Sequence, residues 1–599
     1  MCGIAGYVGN GNAVSKIFEM LKNLEYRGYD SAGVAFFEDK LEVVKDKGKV
    51  DEVRKKAGRK SVSKIALGHS RWATHGAPSQ ENAHPHTDCK KQIAIVHNGI
   101  IENYVELRAE LRKKGHSFES ETDSEVIAHL IEDGLKHKTF ENAFADAIKR
   151  LEGSFAILAI YEKEPSRILF ARNESPLLIG LGKGENYLAS DMPAVISDTK
   201  NFIILNDLEY GIVTKDIVVV KNLKTGKILR KPIHTSDLSV ESAEKGGHGH
   251  FMLKEILEES AAVKGALKSA KAAQKLAKKI KDCDRIYIVA CGTAWHAGVV
   301  AKYMLQEYGI PSIAEVASEF RYSTVKSLDP KSAVIAISQS GETADTLAAA
   351  KEAKKKGAKV LAVVNVVGSS LTRVADDTIY TYSGPEIAVA STKVYLGQVT
   401  TLVLLILELL KIKGKISERE ATKKYKELEN LPAKIDMILD NRERIQDVAK
   451  LLEKTNDYFY VARRMNYPTA MEGALKLKEI SYLHAEAYPG GELKHGPLAL
   501  MEEKVCVIAV NPDDELRKKM ESNIQEIKSR NAKVLELIEG DVFNIRIDGE
   551  TKIIVPKTDP LFTPLTMVVP LHLLAYYVAL AKKLDIDKPR NLAKSVTVE

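Results

Sequence analysis

The sequence is poor in cysteine and in aromatic residues, and each scarcity excludes a class of protein. Its 599 residues include 5 cysteines, which are widely scattered and form no Cys-x-x-Cys pair. This pattern argues against a disulfide framework or a zinc knuckle and indicates a reducing compartment. Aromatic residues make up 6% of the chain, with Trp72 and Trp295 as the two tryptophans, and no basic–aromatic interleaving that would stack nucleic-acid bases is present. We therefore expect a cytoplasmic location and no nucleic-acid partner.

Long unbroken apolar runs are also missing from the sequence. The two most apolar stretches, 402–410 and 563–581, are interrupted by Glu408 in the first and by Pro570 and His572 in the second. They are too short or too broken to cross a bilayer, and we interpret them as buried helices. No basic region followed by an apolar run opens the sequence, so we expect neither a signal peptide nor a membrane partner.

The charge is nearly balanced. The formal net charge is +7, and the lysines alternate with glutamates in segments such as 423–429, a pattern typical of solvated helix faces. A mildly basic chain is equally compatible with a small anionic substrate. The composition, 45% hydrophobic and 28% charged, is ordinary for a globular protein. The length suits roughly three to four domains.

The first part of the chain, 2–240, is dominated by short β-type runs between turns. Runs such as 93–96 and 155–160 have the composition of strands, whereas 14–24 and 123–137 have helical periodicity. These patterns predict an α+β domain built from sandwiched sheets.

A polar, glycine-bearing stretch, 241–250, follows and is typical of a linker. His248 and His250 within it are compatible with a metal pair or with a polar connection. Beyond it, helical patterns alternate with compact apolar strands, which indicates parallel α/β units. Three strands recur in the same order at an offset of about 173 residues, so we predict two copies of one doubly wound domain. The predicted segments are the first copy, the second copy and a C-terminal tail: 251–430, 431–588 and 589–599.

The two copies differ at one turn. In the first copy a strand runs into Ser338-Gln-Ser-Gly-Glu-Thr343, whose hydroxyl groups and backbone amides precede a helix. This pattern predicts a phosphate cradle, although an ordinary capped turn has the same composition. The matching turn of the second copy, Asn511-Pro-Asp-Asp-Glu515, carries negative charges that would repel a phosphate. We therefore expect one phosphate site per chain, in the first copy.

Cys2 is a candidate nucleophile because it becomes the N-terminal residue once Met1 is removed. Its own α-amine, with a reference pKa of roughly 7.7–8.0, can then accept the thiol proton at neutral pH. While Met1 remains, that base is blocked. A cysteine at position 2 can also be accidental, and the rest of the chain has to decide between the two interpretations.

Several motifs together resemble a known family. Those near the amino terminus resemble the class II glutamine amidotransferase domain: Cys2-Gly-Ile-Ala-Gly6, Arg27-Gly-Tyr-Asp-Ser31, Arg71-Trp-Ala-Thr-His-Gly76, His97-Asn-Gly99 and Thr122-Asp-Ser124. The phosphate turn and the repeat resemble paired sugar isomerase (SIS) domains. With Glu492-Leu-Lys-His-Gly-Pro497 and the tail, the whole chain is similar to the family of isomerising glutamine–fructose-6-phosphate aminotransferases. The resemblance implies an N-terminal-nucleophile sandwich followed by two doubly wound α/β (SIS) domains.

The resemblance implies a glutaminase site around Cys2. The thiolate would attack the side-chain amide of glutamine, while Asn98 and the backbone N–H of Gly99 would stabilise the oxyanion. Arg71 and Asp123 suit the α-carboxylate and the α-ammonium group of the substrate. The complete implied set of glutamine-binding residues is Arg71, Thr74, His75 and Asp123.

In the sugar half, the resemblance implies a Schiff base between Lys594 and the open-chain ketose, proton transfer by Glu479 and ring opening assisted by His495. By spacing alone, Glu479 is one glutamate on a solvated helix face. The implied sugar-phosphate contacts are Thr293, Ser338, Gln339, Ser340 and Thr343. Ala294 departs from the family, where many relatives carry serine, so one contact would be missing or supplied by water.

The resemblance implies conversion of fructose 6-phosphate and glutamine to glucosamine 6-phosphate and glutamate, with Trp72 gating an internal ammonia channel. A homodimer and the absence of a redox cofactor or metal are the family's expectations. Four histidines could suggest a metal but fit satisfied polar side chains: His75, His84, His86 and His97. Two alternatives stay open, another class II amidotransferase, such as the one acting on phosphoribosyl pyrophosphate, and a sugar-phosphate-binding regulator without catalysis.

Overall fold

The computed structural model describes residues 2–57, 61–72, 75–236, 245–452, 455, 457–547 and 551–597. The chain forms two compact units, one up to residue 243 together with residues 593–599, the other spanning residues 244–592. Of the predicted linker, 241–244 lie outside the described residues, and 245–250 form neither helix nor strand. The domain boundaries read from the sequence stay predictions.

The first unit is an α+β sandwich, as predicted. Its strands are β1 Gly3–Gly9, β2 Ser31–Phe37, β3 Leu41–Lys47, β4 Ile65–Arg71, β5 His86–Thr87, β6 Ile93–Ile101, β7 Gly153–Tyr161, β8 Ile168–Asn173, β9 Leu178–Leu181, β10 Glu185–Ala189, β11 Asn201–Ile204, β12 Glu209–Val213, β13 Val218–Asn222, β14 Ile228–Leu229 and β15 His234–Thr235. Its helices are α1 Ala13–Leu24, α2 Val50–Ala57, α3 Tyr104–Lys113, α4 Glu125–Leu135 and α5 Phe140–Lys149.

Two antiparallel sheets make the inner layers of this unit. Their strand orders are β15-β11-β9-β10-β1-β4-β2-β3 and β14-β13-β12-β8-β7-β6-β5. Alternate side chains of β1 and β6 point to opposite faces, so Ile4 and Val96 pack between the sheets. Tyr7 packs on the outer face with α1, whereas Ile95 packs on the outer face with α3, α4 and α5. The layers therefore run helix, sheet, sheet, helix.

The predicted helices near 14–24 and 123–137 are α1 and α4. Helix α1 begins after Asn12, whose side chain accepts a hydrogen bond from the Ser15 backbone N–H. Helix α3 was not predicted. Its charged sequence buries few apolar residues, chiefly Leu107 and Leu111, so its periodic signal is weak.

The second unit contains the predicted repeat. The first copy comprises α6 Phe251–Leu257, α7 Glu259–Ala266, α8 Ala270–Ile280, β16 Arg285–Ala290, α9 Gly292–Glu307, β17 Ser312–Val316, α10 Ala317–Phe320, β18 Ser332–Ser338, α11 Ala344–Lys355, β19 Lys359–Val364, α12 Ser370–Val374, β20 Asp377–Tyr380 and α13 Lys393–Ile412. The second comprises α14 Glu418–Leu439, α15 Arg442–Leu452, β21 Asp457–Ala462, α16 Tyr467–Ser481, β22 His484–Pro489, β23 Val505–Val510, α17 Arg517–Lys528, β24 Lys533–Gly540, β25 Asn544–Arg546, β26 Thr551–Pro556 and α18 Thr563–Ala581.

The two sheets of this unit have equivalent strand orders, β17-β16-β18-β19-β20 and β22-β21-β23-β24-β26-β25. All pairings are parallel except that of β25 with β26. The recurring strands predicted from the sequence are β16, β18 and β19 in one copy and β21, β23 and β24 in the other. The prediction of two doubly wound domains is confirmed.

The two apolar helices are core elements of this unit. Helix α13 and the segment 560–581, which includes α18, have mean hydropathies of 1.7 and 1.6, and 89% of each apolar window is buried inside the protein. Residues of both helices join one large core with the facing sides of the two sheets. The interpretation of these stretches as buried helices is confirmed.

Candidate functional sites

A cavity in the first unit lies where the ends of three strands meet. Cys2 precedes β1, Arg71 ends β4 in the same sheet, and Asn98 and Gly99 lie on β6 of the opposite sheet. The pairing of β1 with β4 places Gly3 opposite Ser70. The cavity is lined by Cys2, Arg27, Arg71, Trp72, His84, His97, Asn98, Gly99, Thr122, Asp123, Ser124, Pro176 and Thr597.

Cys2 is held on two sides. The Trp72 backbone N–H donates to Cys2 Sγ at 3.3 Å, and Sγ lies 3.5 Å from the Trp72 carbonyl oxygen. The Cys2 carbonyl oxygen accepts from Asn98 Nδ2 at 2.9 Å and from Arg27 Nε at 3.3 Å. Arg27 also pairs with Asp191 at 3.1 Å. The thiol thus faces the cavity beside a fixed amide donor.

His69 orients that amide. Its Nε2 lies 3.0 Å from Asn98 Oδ1 and 3.0 Å from the His97 carbonyl oxygen. Burial lowers the pKa of His69 to about 3, so the ring is neutral and its Nε2–H donates to both oxygens. With its Oδ1 held in this way, Asn98 presents Nδ2 towards Cys2. Sequence reasoning missed His69, which lies two residues before Arg71 on β4.

Gly99 is required by the close approach of β6 and β7. Its φ is +123°, and a Cβ there would lie 2.0 Å from the Ser154 carbonyl oxygen. No other residue fits without moving the β7 backbone.

Arg71 and Asp123 place opposite charges in the cavity wall, and both are buried. Arg71 Nη2 donates to the carbonyl oxygens of His75 and Gly76. Its Nη1 is buried and has no hydrogen-bond partner among the described residues. Asp123 Oδ2 accepts from the Ile101 backbone N–H at 2.8 Å. The pair can bind a zwitterionic amino acid, one charge on each end.

The other histidines of the predicted set are mostly buried and contact protein groups. His84 Nδ1 accepts from the His97 backbone N–H at 3.3 Å, and His97 Nδ1 lies 2.8 Å from Ser124 Oγ. His86 Nε2 lies 3.0 Å from Thr122 Oγ1. The half-buried His75 packs edge-on against a tyrosine ring. Thr74 lies outside the described residues.

The second candidate site begins at the turn between β18 and α11. Ser338 Oγ lies 2.9 Å from Thr343 Oγ1 and accepts from the Gly341 backbone N–H at 3.0 Å. Ser340 Oγ accepts from the Glu342 backbone N–H at 3.1 Å. Gly341 has φ +66°, and a Cβ there would meet Ser369 Oγ at 2.0 Å. Neutral hydroxyls and backbone amides therefore cluster at a helix N-terminus, which favours an anion.

Thr293 faces helix α16 of the other copy. Its hydroxyl donates to Glu472 Oε1 at 3.0 Å and accepts from Lys476 Nζ at 3.0 Å. Lys476 Nζ also donates to Glu479 Oε2 at 2.6 Å. Lys476 therefore links Thr293 and the half-buried Glu479 in one charged cluster, and Glu479 is joined to the first copy through Lys476.

This cluster continues inward through buried ionisable groups. His296 Nδ1 lies 2.7 Å from Glu472 Oε2, and His572 Nδ1 lies 2.6 Å from Glu259 Oε1. Burial opposes the charge on His572, but the carboxylates of Glu259 and Glu472 outweigh it and raise the pKa of His572 to about 9. Burial likewise opposes the charge on Glu472, yet Lys476 and His296 hold its pKa well below the ordinary value. We call these residues the buried charge network: Glu259, His296, Glu472, Lys476, Glu479 and His572.

Five members of this network were not predicted from the sequence, although part of the network follows a helical spacing. Glu472, Lys476 and Glu479 have the i, i+4, i+7 spacing of one helix face. That spacing cannot say whether the face meets solvent or another helix. Glu259 and His572 lie 313 residues apart, so no local pattern joins them.

The remaining predicted residues are placed as follows. Gln339 is half-buried, and its carbonyl oxygen accepts from the Asn365 backbone N–H at 3.1 Å. His495 is exposed at the end of the 3₁₀ turn Glu492–His495. Lys594 is half-buried in the part of the tail, 593–599, that groups with the first unit, whereas residues 589–592 group with the second. Thr597 of the first part lines the Cys2 cavity.

Comparison with known proteins identifies the domains. A family model described as a glutamine amidotransferase domain matches residues 69–197, and one described as a SIS domain matches residues 279–408 and 451–581. Fold and sites together define a glutamine amidotransferase joined to a pair of SIS domains.

Relatives cover the chain from end to end. Glutamine–fructose-6-phosphate aminotransferases [isomerizing] of Thermococcus kodakarensis and Pyrococcus horikoshii are 50% and 49% identical over 605 residues, covering 100% of this chain and of each relative. The chain belongs to the family of isomerizing glutamine–fructose-6-phosphate aminotransferases. A solved structure, the C-terminal domain of the Francisella tularensis glucosamine-fructose-6-phosphate aminotransferase, covers 57% of this chain and 99% of its own at 37% identity and a TM-score of 0.55. The predicted family is confirmed.

Proposed function

We propose that the protein converts fructose 6-phosphate and glutamine to glucosamine 6-phosphate and glutamate. Water hydrolyses the side-chain amide of glutamine to glutamate and ammonia, and the ammonia replaces the ketone oxygen of the sugar, which leaves as water. The observation that carries the proposal is the end-to-end similarity to relatives that bear this enzyme's name. The cavity around Cys2 and the turn after β18 support the two half-reactions separately.

In the first half-reaction, the Cys2 thiolate attacks the amide carbon and forms a γ-glutamyl thioester. The α-amine of Cys2 accepts the thiol proton and passes it to the departing ammonia. Asn98 Nδ2 and the Gly99 backbone N–H stabilise the oxyanion, each donor typically contributing about 10²–10³ in rate. The amide of Asn98, held by His69, supports this assignment because its orientation is fixed before substrate binds.

Glutamine is held through its α-carboxylate and α-ammonium groups. Arg71 binds the α-carboxylate through the buried Nη1, and Asp123 accepts from the α-ammonium group. Thr74 and His75 complete the glutamine contacts. Trp72 gates the route by which ammonia leaves the cavity without being protonated in bulk water.

In the second half-reaction, the sugar phosphate binds to the turn after β18. Ser338, Gln339, Ser340 and Thr343 hold the phosphate and nearby hydroxyls, and Thr293 contributes from the neighbouring turn. His495 assists ring opening, and Lys594 forms a Schiff base with the open-chain ketose, which expels the ketone oxygen as water. Ammonia then displaces the lysine amine and leaves an imine at C2. Glu479 moves the proton between C1 and C2, and its ion pair with Lys476 supports this role because Lys476 can stabilise the carboxylate between transfers.

The assembly and the requirements of the reaction follow the family. We propose a homodimer in the cytoplasm, with glutamine and fructose 6-phosphate as the substrates and no redox cofactor. The reaction transfers an amino group and protons and involves no net oxidation or reduction.

The test supplies fructose 6-phosphate with either glutamine or ammonium and follows hexosamine 6-phosphate. Cys2→Ala is expected to abolish the glutamine-dependent reaction and to keep the ammonium-dependent one. Lys594→Ala is expected to abolish both, while some glutaminase activity remains. Unimpaired hexosamine synthesis by the Lys594 variant would overturn the Schiff-base assignment. Mass spectrometry of the purified N-terminus establishes first whether Met1 has been removed.

A further inference from the structure

Four potential metal ligands converge in the first unit, away from Cys2. Cys89 Sγ lies 3.7 Å from His116 Nδ1 and 3.5 Å from His129 Nδ1. Glu132 Oε2 lies 3.0 Å from His116 Nδ1 and 3.5 Å from His129 Nδ1. All four donor atoms lie within 4.8 Å of one another. They come from three segments: the turn before β6, the loop after α3, and helix α4.

These separations match a tetrahedral ion. With Zn–S near 2.3 Å and Zn–N or Zn–O near 2.1 Å, tetrahedral neighbours lie about 3.6 Å apart for sulfur and nitrogen and about 3.4 Å apart for nitrogen and oxygen. The sulfur–nitrogen distances at Cys89 differ from that value by little more than 0.1 Å. The oxygen–nitrogen distances at Glu132 bracket the second value.

A carboxylate also lies near the second ring nitrogen, Nε2, of each histidine. His129 Nε2 lies 3.5 Å from Glu125 Oε1, and His116 Nε2 lies 3.8 Å from Asp133 Oδ1. A carboxylate beside the second ring nitrogen is the usual support of a metal-bound histidine, because it fixes the tautomer and increases the basicity of the ligating nitrogen. Both Nε2 atoms are buried and have no hydrogen-bond partner among the described residues.

We propose that Cys89, His116, His129 and Glu132 form a structural zinc site. One thiolate, two imidazoles and one carboxylate suit zinc, whereas calcium and magnesium prefer oxygen ligands alone. Four protein ligands leave no open position, so the site is structural. The family resemblance implied no metal, and these ligands are spread over 44 residues without a short motif.

The proposed zinc site stabilises the segment that leads to the cavity around Cys2. His116 begins a loop that runs to Asp123, and Glu125 accepts from the backbone N–H groups of Glu119 and Ser120 at 2.7 Å each. A metal that fixes His116 against α4 therefore limits the movement of the loop that positions Asp123. This role is separate from the proposed reaction and does not depend on it.

The experiment measures metal in the full-length protein. Elemental analysis after incubation with zinc and gel filtration is expected to give about one equivalent per chain. Replacement of zinc by Co²⁺ is expected to produce a thiolate-to-cobalt charge-transfer band and the intense visible bands of a tetrahedral ion. Chelation is expected to lower Tm.

Amino-acid replacements test whether zinc binds at this site and not elsewhere. Cys89→Ser combined with His116→Gln is expected to remove the zinc and the charge-transfer band. His137→Gln, an exposed histidine just beyond α4, and Cys2→Ser are expected to keep both. Because Cys89 is exposed, its replacement is compatible with folding, which circular dichroism checks. Zinc below about a tenth of an equivalent in the wild-type protein, or equal zinc in the double variant, would overturn the proposal.

Discussion

The two SIS copies share one strand order and differ in the chemistry of the equivalent turn. In the first copy, backbone amides of the turn are bound by neutral hydroxyls, as Glu342 N is by Ser340 Oγ at 3.1 Å. In the second copy, carboxylates accept the corresponding hydrogen bonds. Asp514 Oδ1 accepts from the Leu516 backbone N–H at 2.8 Å, and Glu539 Oε2 accepts from the Asp513 backbone N–H at 2.8 Å. Carboxylates at a turn repel a phosphate, whereas hydroxyl groups can donate to one. The first turn is therefore the better candidate for an anion site.

The helices that follow the first strand of each copy also differ. Helices α9 and α16 pack against each other, but α16 carries Glu472, Lys476 and Glu479, whereas α9 contributes the hydroxyl of Thr293 and the ring of His296. The duplication has therefore separated two tasks. The first copy supplies a turn rich in hydroxyl groups, and the second supplies three of the ionisable groups of the buried charge network, Glu472, Lys476 and Glu479.

The largest effect is expected from removing one charge of the second copy. Lys476→Met leaves Glu472, which is fully buried, without its ammonium partner. Breaking a buried pair typically costs about 3–5 kcal/mol, so the free energy of unfolding should fall by that order. Denaturant unfolding measures it. Lys478→Met, on the exposed side of the same helix, is the matched control. Equal stability of the two variants would contradict a structural role for the network.

A smaller effect is expected from pH. The pKa of His572 is about 9 in the folded protein and roughly 6.5 in the unfolded chain. Its stabilisation is therefore fully present below about pH 6.5 and is lost as the pH rises through about 9, up to about 3 kcal/mol in all. Tm measured from pH 6 to 10 should fall in this window. His572→Gln should flatten the fall, whereas the exposed His484→Gln should leave it unchanged; an identical pH profile in the His572 variant counts against this assignment.

The smallest effect concerns the turns themselves. Ser340→Asp gives the first turn the charge of the second and should weaken sugar-phosphate binding about 100-fold, corresponding to about 2.7 kcal/mol. The measurement is KM for fructose 6-phosphate with ammonium as the amino donor. Asp514→Ser makes the reverse change in the second copy and should alter KM less than about twofold, since we expect no phosphate site at that turn. A large effect of Asp514→Ser would mean that both copies take part in phosphate binding.

Much of the fold was predictable because its signals are local. The strands of the repeat are compact apolar runs, and α1 and α4 have clear helical periods. Helix α3 was missed because its stability comes from packing on the sheet and not from its own pattern. The candidate site was predictable as far as its residues lie in short motifs. His69 lies in no such motif, and its role depends on an amide from another strand.

The sequence alone therefore determined the order of the domains, the duplication and the position of each reactive side chain along the chain. The tertiary structure determines which of these side chains contact one another. The Asn98 amide reaches the Cys2 carbonyl oxygen across 96 residues, because two sheets pack face to face. Glu479 is part of a charged cluster because its helix packs against α9 and α18. Contacts between groups far apart in sequence leave no periodic signal, so only the folded chain shows whether a polar face meets water or another charge.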